Sequence, residues 1–154
     1  GCPAGEYQNL TGQAACTQCP AGQYQAERGK TSCDSCATGG FCDNSAKLGG
    51  GFTPCRAGTY NEKTASSSPD ACQQCPPGTS SSTAGAVSSE TCASCRAGTF
   101  GGEPGLSECE LCAQGYFQNE TGQAACFRCA PGKFCPQGSS RELDAQCSPG
   151  TYAD

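Results

Sequence analysis

The sequence predicts a small disulfide-rich fold, mostly loop with short two-stranded β-hairpins, set out as an elongated tandem-repeat rod with little or no helix. Three observations predict it: a chain of 154 residues with very few aliphatic side chains, seventeen cysteines beside 22 Gly and 10 Pro, and one cysteine, glycine, aromatic pattern that recurs along its length. Met and Trp are absent, Val87 is the single valine, and six Phe are too few to build a common core. Ordering the backbone costs about 1–2 kcal/mol per residue, so covalent staples must supply what apolar burial does not. Closing a loop of about 15 residues contributes roughly 3 kcal/mol, and chains without a core use several such loops.

Each repeat opens on a cysteine and has Gly three residues later. Cys2 is followed by Gly5 and Tyr7, Cys19 by Gly22 and Tyr24, Cys36 by Gly39 and Phe41, and Cys55 by Gly58 and Tyr60. The series continues through Cys75 with Gly78 but Ser80, Cys95 with Gly98 and Phe100, Cys112 with Gly115 and Phe117, Cys129 with Gly132 and Phe134, and Cys147 with Gly150 and Tyr152. Most repeats close on a CxxC whose second cysteine opens the next. This divides the chain into one array of 2–18, 19–35, 36–54, 55–74, 75–94, 95–111, 112–128 and 129–146, with a further repeat starting at 147–154. Both ends fall inside a repeat, so the chain reads as a fragment of a larger protein.

The glycine suits a turn with positive φ, and the aromatic after it suits a short strand lying on the adjacent disulfide. Second turn glycines, Gly12, Gly29, Gly105 and Gly122, stand four residues before CxxC pairs. Repeats of 17 to 20 residues cannot bury a face alone, so each is expected as a hairpin stacked on its neighbours with the aromatic as the contact.

Connectivity does not follow from sequence alone, but the repeat arithmetic suggests one economical solution: each opening cysteine pairs with the first cysteine of the next CxxC. That gives Cys2–Cys16, Cys19–Cys33, Cys55–Cys72, Cys75–Cys92, Cys95–Cys109 and Cys112–Cys126. Two repeats depart from the pattern and take Cys36–Cys42 and Cys129–Cys135; Cys147 is left to a partner outside the fragment. Zinc is the competing reading, because Cys16-x-x-Cys19 and Cys33-x-x-Cys36 approximate a four-cysteine spacing. The absence of His and the overlapping run of the motif count against it.

The unit of cysteine, Pro or small residue, Gly, aromatic and closing CxxC resembles the ephrin-receptor-like cysteine-rich repeat over essentially the whole chain. That family is similar in architecture to tumour necrosis factor receptor and growth-factor-receptor cysteine-rich modules. The resemblance implies extracellular stalks and adhesive or receptor ectodomains, with no catalytic residues to carry over.

Two Asn-x-Thr sequons, Asn9-Leu-Thr11 and Asn119-Glu-Thr121, stand at equivalent places just after the aromatic and are the expected N-glycosylation sites. They lie in a longer echo: the ten residues from Tyr7 to Cys16 return with two changes, Tyr7 to Phe117 and Leu10 to Glu120, in the ten from Phe117 to Cys126. The Ser/Thr runs at 64–69 and 79–83 are read as solvated loops that could carry O-linked sugar.

No catalytic, cofactor-binding or metal-binding residue is expected. Without His the common general base and triads are missing, and the acidic residues do not follow a calcium-loop spacing. A formal charge of −5 with scattered basic residues offers no stripe for nucleic acid, and no apolar run of about 20 residues marks a membrane span. Abundant cysteine argues for an oxidising compartment, hence a secreted or cell-surface protein. The expected function is structural: a glycosylated stalk, spacer, or filament or flagellar-hair module, with copies of itself, other extracellular structural proteins and N-linked glycans as partners. The alternative is a receptor or adhesin ectodomain that binds a protein ligand. Its candidate contacts lie where the repeat is broken, first the insert Lys47-Leu-Gly-Gly-Gly-Phe52-Thr53, then Phe127 and Tyr116, although all three aromatics could equally pack on neighbouring repeats.

Overall fold

The computed structural model describes residues 1–10, 12, 14–43 and 51–144. Residues 44–50 of the glycine-rich insert, Thr11 of the first sequon and Cys147 lie outside the described residues. The chain divides into two compact units, Gly1–Gln74 with Thr83–Thr91, and Cys75–Ser82 with Cys92–Asp154.

Among the described residues, four hairpins belong to the first unit. β1 (Glu6–Tyr7) pairs with β2 (Thr17–Gln18), β3 (Gln23–Tyr24) with β4 (Asp34–Ser35), β5 (Gly40–Cys42) with β6 (Phe52–Pro54), and β7 (Thr59–Tyr60) with β8 (Gln73–Gln74), all antiparallel. Four more make the second: β9 (Thr79–Ser80) with β10 (Ala93–Ser94), β11 (Thr99–Phe100) with β12 (Glu110–Leu111), β13 (Tyr116–Phe117) with β14 (Phe127–Arg128), and β15 (Lys133–Phe134) with β16 (Leu143–Asp144). Helix is confined, among the described residues, to single 3-10 turns at Pro69–Ala71 and Ser89–Thr91. They fall in the two repeats whose bridges close a separation of 17 rather than 14 residues, so the extra length is taken up as one turn. Ser68 caps the first of them: its Oγ accepts the Asp70 N–H at 3.2 Å, and Pro69 at the first position fits a donor that would be unpaired anyway.

Two-residue strands cannot hold a sheet, and the hairpins are instead fastened by S–S bonds and by a backbone ladder. Bridges join Cys2–Cys16, Cys19–Cys33, Cys36–Cys42, Cys55–Cys72, Cys75–Cys92, Cys95–Cys109, Cys112–Cys126 and Cys129–Cys135, with Cα separations of 5.5 to 6.4 Å. The ladder repeats the same atoms from rung to rung within each unit. The third-position glycine of one repeat donates its N–H to a carbonyl in the next: Gly5 to Gln25 and Gly39 to Asn61 in the first unit, Gly78 to Gly101 and Gly98 to Gln118 in the second, at 2.7–2.8 Å. The opening cysteine's carbonyl accepts in turn from a left-handed residue of that next repeat. Gly29 donates to Cys2, Ala65 to Cys36, Gly105 to Cys75 and Gly122 to Cys95, at 2.7–2.8 Å.

This ladder explains the glycine better than turn geometry alone. Gly39 and Gly98 have φ of 82° and 84°, where a side chain is strained. A methyl group added at Gly39 would also fall inside the carbonyl of Gly85, and one at Gly98 inside that of Gly138, so each glycine passes against the second repeat along. The aromatics are covered to different degrees: Phe41 is buried, Tyr24, Tyr60, Phe100 and Phe117 are half-buried, and Phe134 is exposed.

Candidate functional site

Beside the opening cysteine, the residue directly after the aromatic is buried in most repeats, a position that residue type alone did not single out. Gln118 and Asn61 are each 0 % exposed, and Gln25 is buried. Each uses its amide as a clamp on the turn that follows. The side-chain oxygens of Gln8, Gln25, Asn61 and Gln118 accept the N–H two residues ahead, of Leu10, Glu27, Lys63 and Glu120, at 2.9–3.0 Å. Their nitrogens donate back to backbone carbonyls: Gln25 Nε2 to Ser32 at 2.9 Å, Gln118 Nε2 to Ala125 at 2.7 Å, Gln8 Nε2 to Ala15, and Asn61 Nδ2 to Gly40 at 2.8 Å. In the two departing repeats this position is Cys42 and Cys135, the second cysteine of the short bridge. In repeat 75–94 it is Ser81, whose buried Oγ meets no hydrogen-bond partner among the described residues.

This clamp sets the surroundings of both sequons. Asn9 and Asn119 are exposed, each follows a clamping glutamine, and Thr121 is exposed as well. Of the residues suspected as ligand contacts, Phe52 belongs to the first unit and Tyr116 and Phe127 to the second. Phe52 sits in β6 opposite Cys42, at the place where ordinary repeats carry their closing cysteine, and its ring occupies the space a side chain on Gly40 would need. Phe127 lies across the β13–β14 hairpin from Phe117 with ring centroids 6.0 Å apart, and is 55 % exposed. Tyr116 is exposed opposite Arg128.

An open cleft of about 660 Å³ in the first unit is lined by Phe41, Pro54, Arg56, Thr59, Pro69 and Asp70. Charge adds little elsewhere. Among the described residues two exposed ion pairs, Glu27–Lys30 at 2.6 Å and Lys133–Asp144, hold their carboxyls below and their ammonium groups above the ordinary range through hydrogen bonding and attraction. Among the described residues no three His, Cys, Asp or Glu side chains gather as a metal site. The candidate zinc quartet is not assembled either, since Cys16 is bonded to Cys2 and Cys36 to Cys42. No helix among the described residues is long and apolar enough to cross a membrane.

Stacked two-stranded hairpins, one cystine apiece and no reactive cluster among the described residues define a small disulfide-stabilised module of the kind typical of extracellular and surface proteins. The family model described as tyrosine-protein kinase ephrin type A/B receptor-like matches residues 5–46 and 98–147, and the chain belongs to that family as a non-catalytic cysteine-rich module. Comparison with curated proteins returned no match.

Proposed function

We propose that the segment is a structural spacer of a secreted or cell-surface protein, a stalk or filament module whose neighbours are copies of itself or other extracellular structural proteins. The observation that carries this reading is the ladder. Successive repeats are joined by main-chain groups, Gly98 N–H to Gln118 C=O and Gly122 N–H to Cys95 C=O, so each repeat spends its recognition on the next one and leaves side chains free to vary. A module built this way can be extended by adding repeats without redesigning an interface.

The cleft beside Phe41 favours a second reading, a receptor or adhesin ectodomain, because it sets an apolar wall next to Arg56 and Asp70. Electron microscopy of the native material, isolated without reductant, separates the two. The spacer reading expects the segment as consecutive hairpins within an ordered polymer. Dispersed molecules that bind a protein ligand, with binding lost in Arg56→Ala, would replace it with the second.

A further inference from the structure

The β13–β14 hairpin leaves two aromatic rings in water beside a sequon, and we propose that Asn119 carries an N-linked glycan whose first sugar lies on the Phe117–Phe127 ring pair. The order Phe117-Gln118-Asn119-Glu120-Thr121 sets the geometry. Gln118 is fully buried where the strand gives way to the turn, while Asn119 directly after it is exposed and Phe117 directly before it is half-exposed, which leaves both beside the same bend of the surface. The Gln118 amide then pins the turn, accepting the Glu120 N–H at 3.0 Å and donating to the Ala125 carbonyl at 2.7 Å. Asn119 and Thr121 are thereby held at the surface within one turn.

An exposed Phe paired with a half-exposed one is a costly surface for a free hairpin, since fully burying one such side chain is worth about 1.5–3 kcal/mol. The C–H face of an N-acetylhexosamine attached two residues from Phe117 is an apolar, ring-sized partner supplied by the same segment. In the transfer, the Asn119 Nδ2 forms a bond to C1 of a lipid-linked oligosaccharyl diphosphate. The C1–O bond to the diphosphate breaks, the lipid diphosphate leaves, and one amide proton passes to the transferase's base, with no change of oxidation state. Asn9 is the sequence twin: it follows Tyr7 and the clamping Gln8, and it is exposed. It faces a lone ring, since Tyr7 is paired across its hairpin with Thr17.

The inference goes beyond the spacer reading, which rests on the ladder and would survive bare asparagines. The full chain, secreted from a eukaryotic host with its bridges intact, is treated with peptide-N-glycosidase in heavy-oxygen water and mapped by mass spectrometry. Its aromatic ring signals are compared by NMR before and after treatment. The proposal expects Asn119 and Asn9 converted to labelled Asp, through-space contacts from the first sugar to the Phe127 ring, and a shift of the Phe117 and Phe127 signals when the sugar is removed. In Phe127→Ser the sugar should stay attached while the Phe117 shift on removal falls at least twofold. Unmodified Asn119 would overturn the proposal, and so would an attached sugar whose removal leaves both rings undisturbed.

Discussion

Repeats 95–111 and 36–54 solve the same problem with different parts. In the first, Cys95–Cys109 ties the opening of the hairpin to its return strand, which begins directly after Cys109 at β12. In the second, Cys36–Cys42 stays within the outgoing limb, and the return strand β6 is held by a three-residue pairing and by the Phe52 ring over Gly40. The cysteine of the short bridge fills the buried place that Gln118 or Asn61 fills elsewhere. Plugging the interior and fastening the return strand are therefore separable tasks, and only the main-chain ladder is common to both kinds of repeat: Gly22 N–H to Cys42 C=O on the short-bridge repeat, Gly98 N–H to Gln118 C=O on an ordinary one.

If the ladder is what the two kinds share, damage to it should be equally severe in both. Gly39→Ala and Gly98→Ala each add a methyl at positive φ and against a carbonyl of the second repeat along. Together these faults should cost about 3 kcal/mol or more, read by chemical denaturation under non-reducing conditions. Gly115→Ala meets nothing within 4 Å among the described residues and should cost only the backbone strain, about 1–2 kcal/mol. A tolerated Gly39→Ala would mean that short-bridge repeats stack by another rule.

Removing the bridges should cost less and should separate the two kinds. The loop-entropy account gives about 3 kcal/mol for Cys95→Ser with Cys109→Ser and about 2.5 kcal/mol for Cys36→Ser with Cys42→Ser. The location of the damage is more telling than the size. Hydrogen exchange should quicken in β12 after the first change, whereas β6 should keep its protection after the second, because the short bridge does not hold it.

Gln118→Leu keeps the volume but leaves the Glu120 N–H and the Ala125 carbonyl without their partner, and should cost about 2 kcal/mol by thermal melting. Ala65→Gly is the smallest effect and has the opposite sign. Ala65, at φ 55°, is the only non-glycine residue with positive φ among those described, and it stands where Gly85, Gly105 and Gly122 stand in other repeats. Relief of its strain, less the entropy glycine adds to the unfolded chain, should stabilise by about 0.5–1 kcal/mol.

The fold class was legible because its determinants are residue types at fixed spacing. Cysteine, glycine and aromatic at the opening, third and fifth positions announce a hairpin and its turn whatever lies between. The buried sixth position was not legible, because Gln, Asn, Ser, Cys and Gly all occupy it and what they share is a backbone-facing location rather than a chemistry. Its one signal was that Cys42 and Cys135 fall there. The contact between Gly39 and Gly85 was hidden for another reason: it joins residues two repeats apart, beyond any local pattern. Phe52 looked like a break in the repeat and a candidate contact, while its ring is used to cover Gly40. The sequons were plain as motifs, but the ring pair beside Asn119 appears only when β13 and β14 are set in register.

The division into two kinds of repeat rests on how the cysteines are joined, and non-reducing peptide mapping of the native protein tests it most directly. Two kinds of repeat require Cys36 linked to Cys42 and Cys129 to Cys135 as short loops, with Cys2, Cys19, Cys55, Cys75, Cys95 and Cys112 each linked to the first cysteine of the following CxxC. Bridges inside the CxxC pairs, or Cys36 and Cys129 linked to any other cysteine, would contradict it.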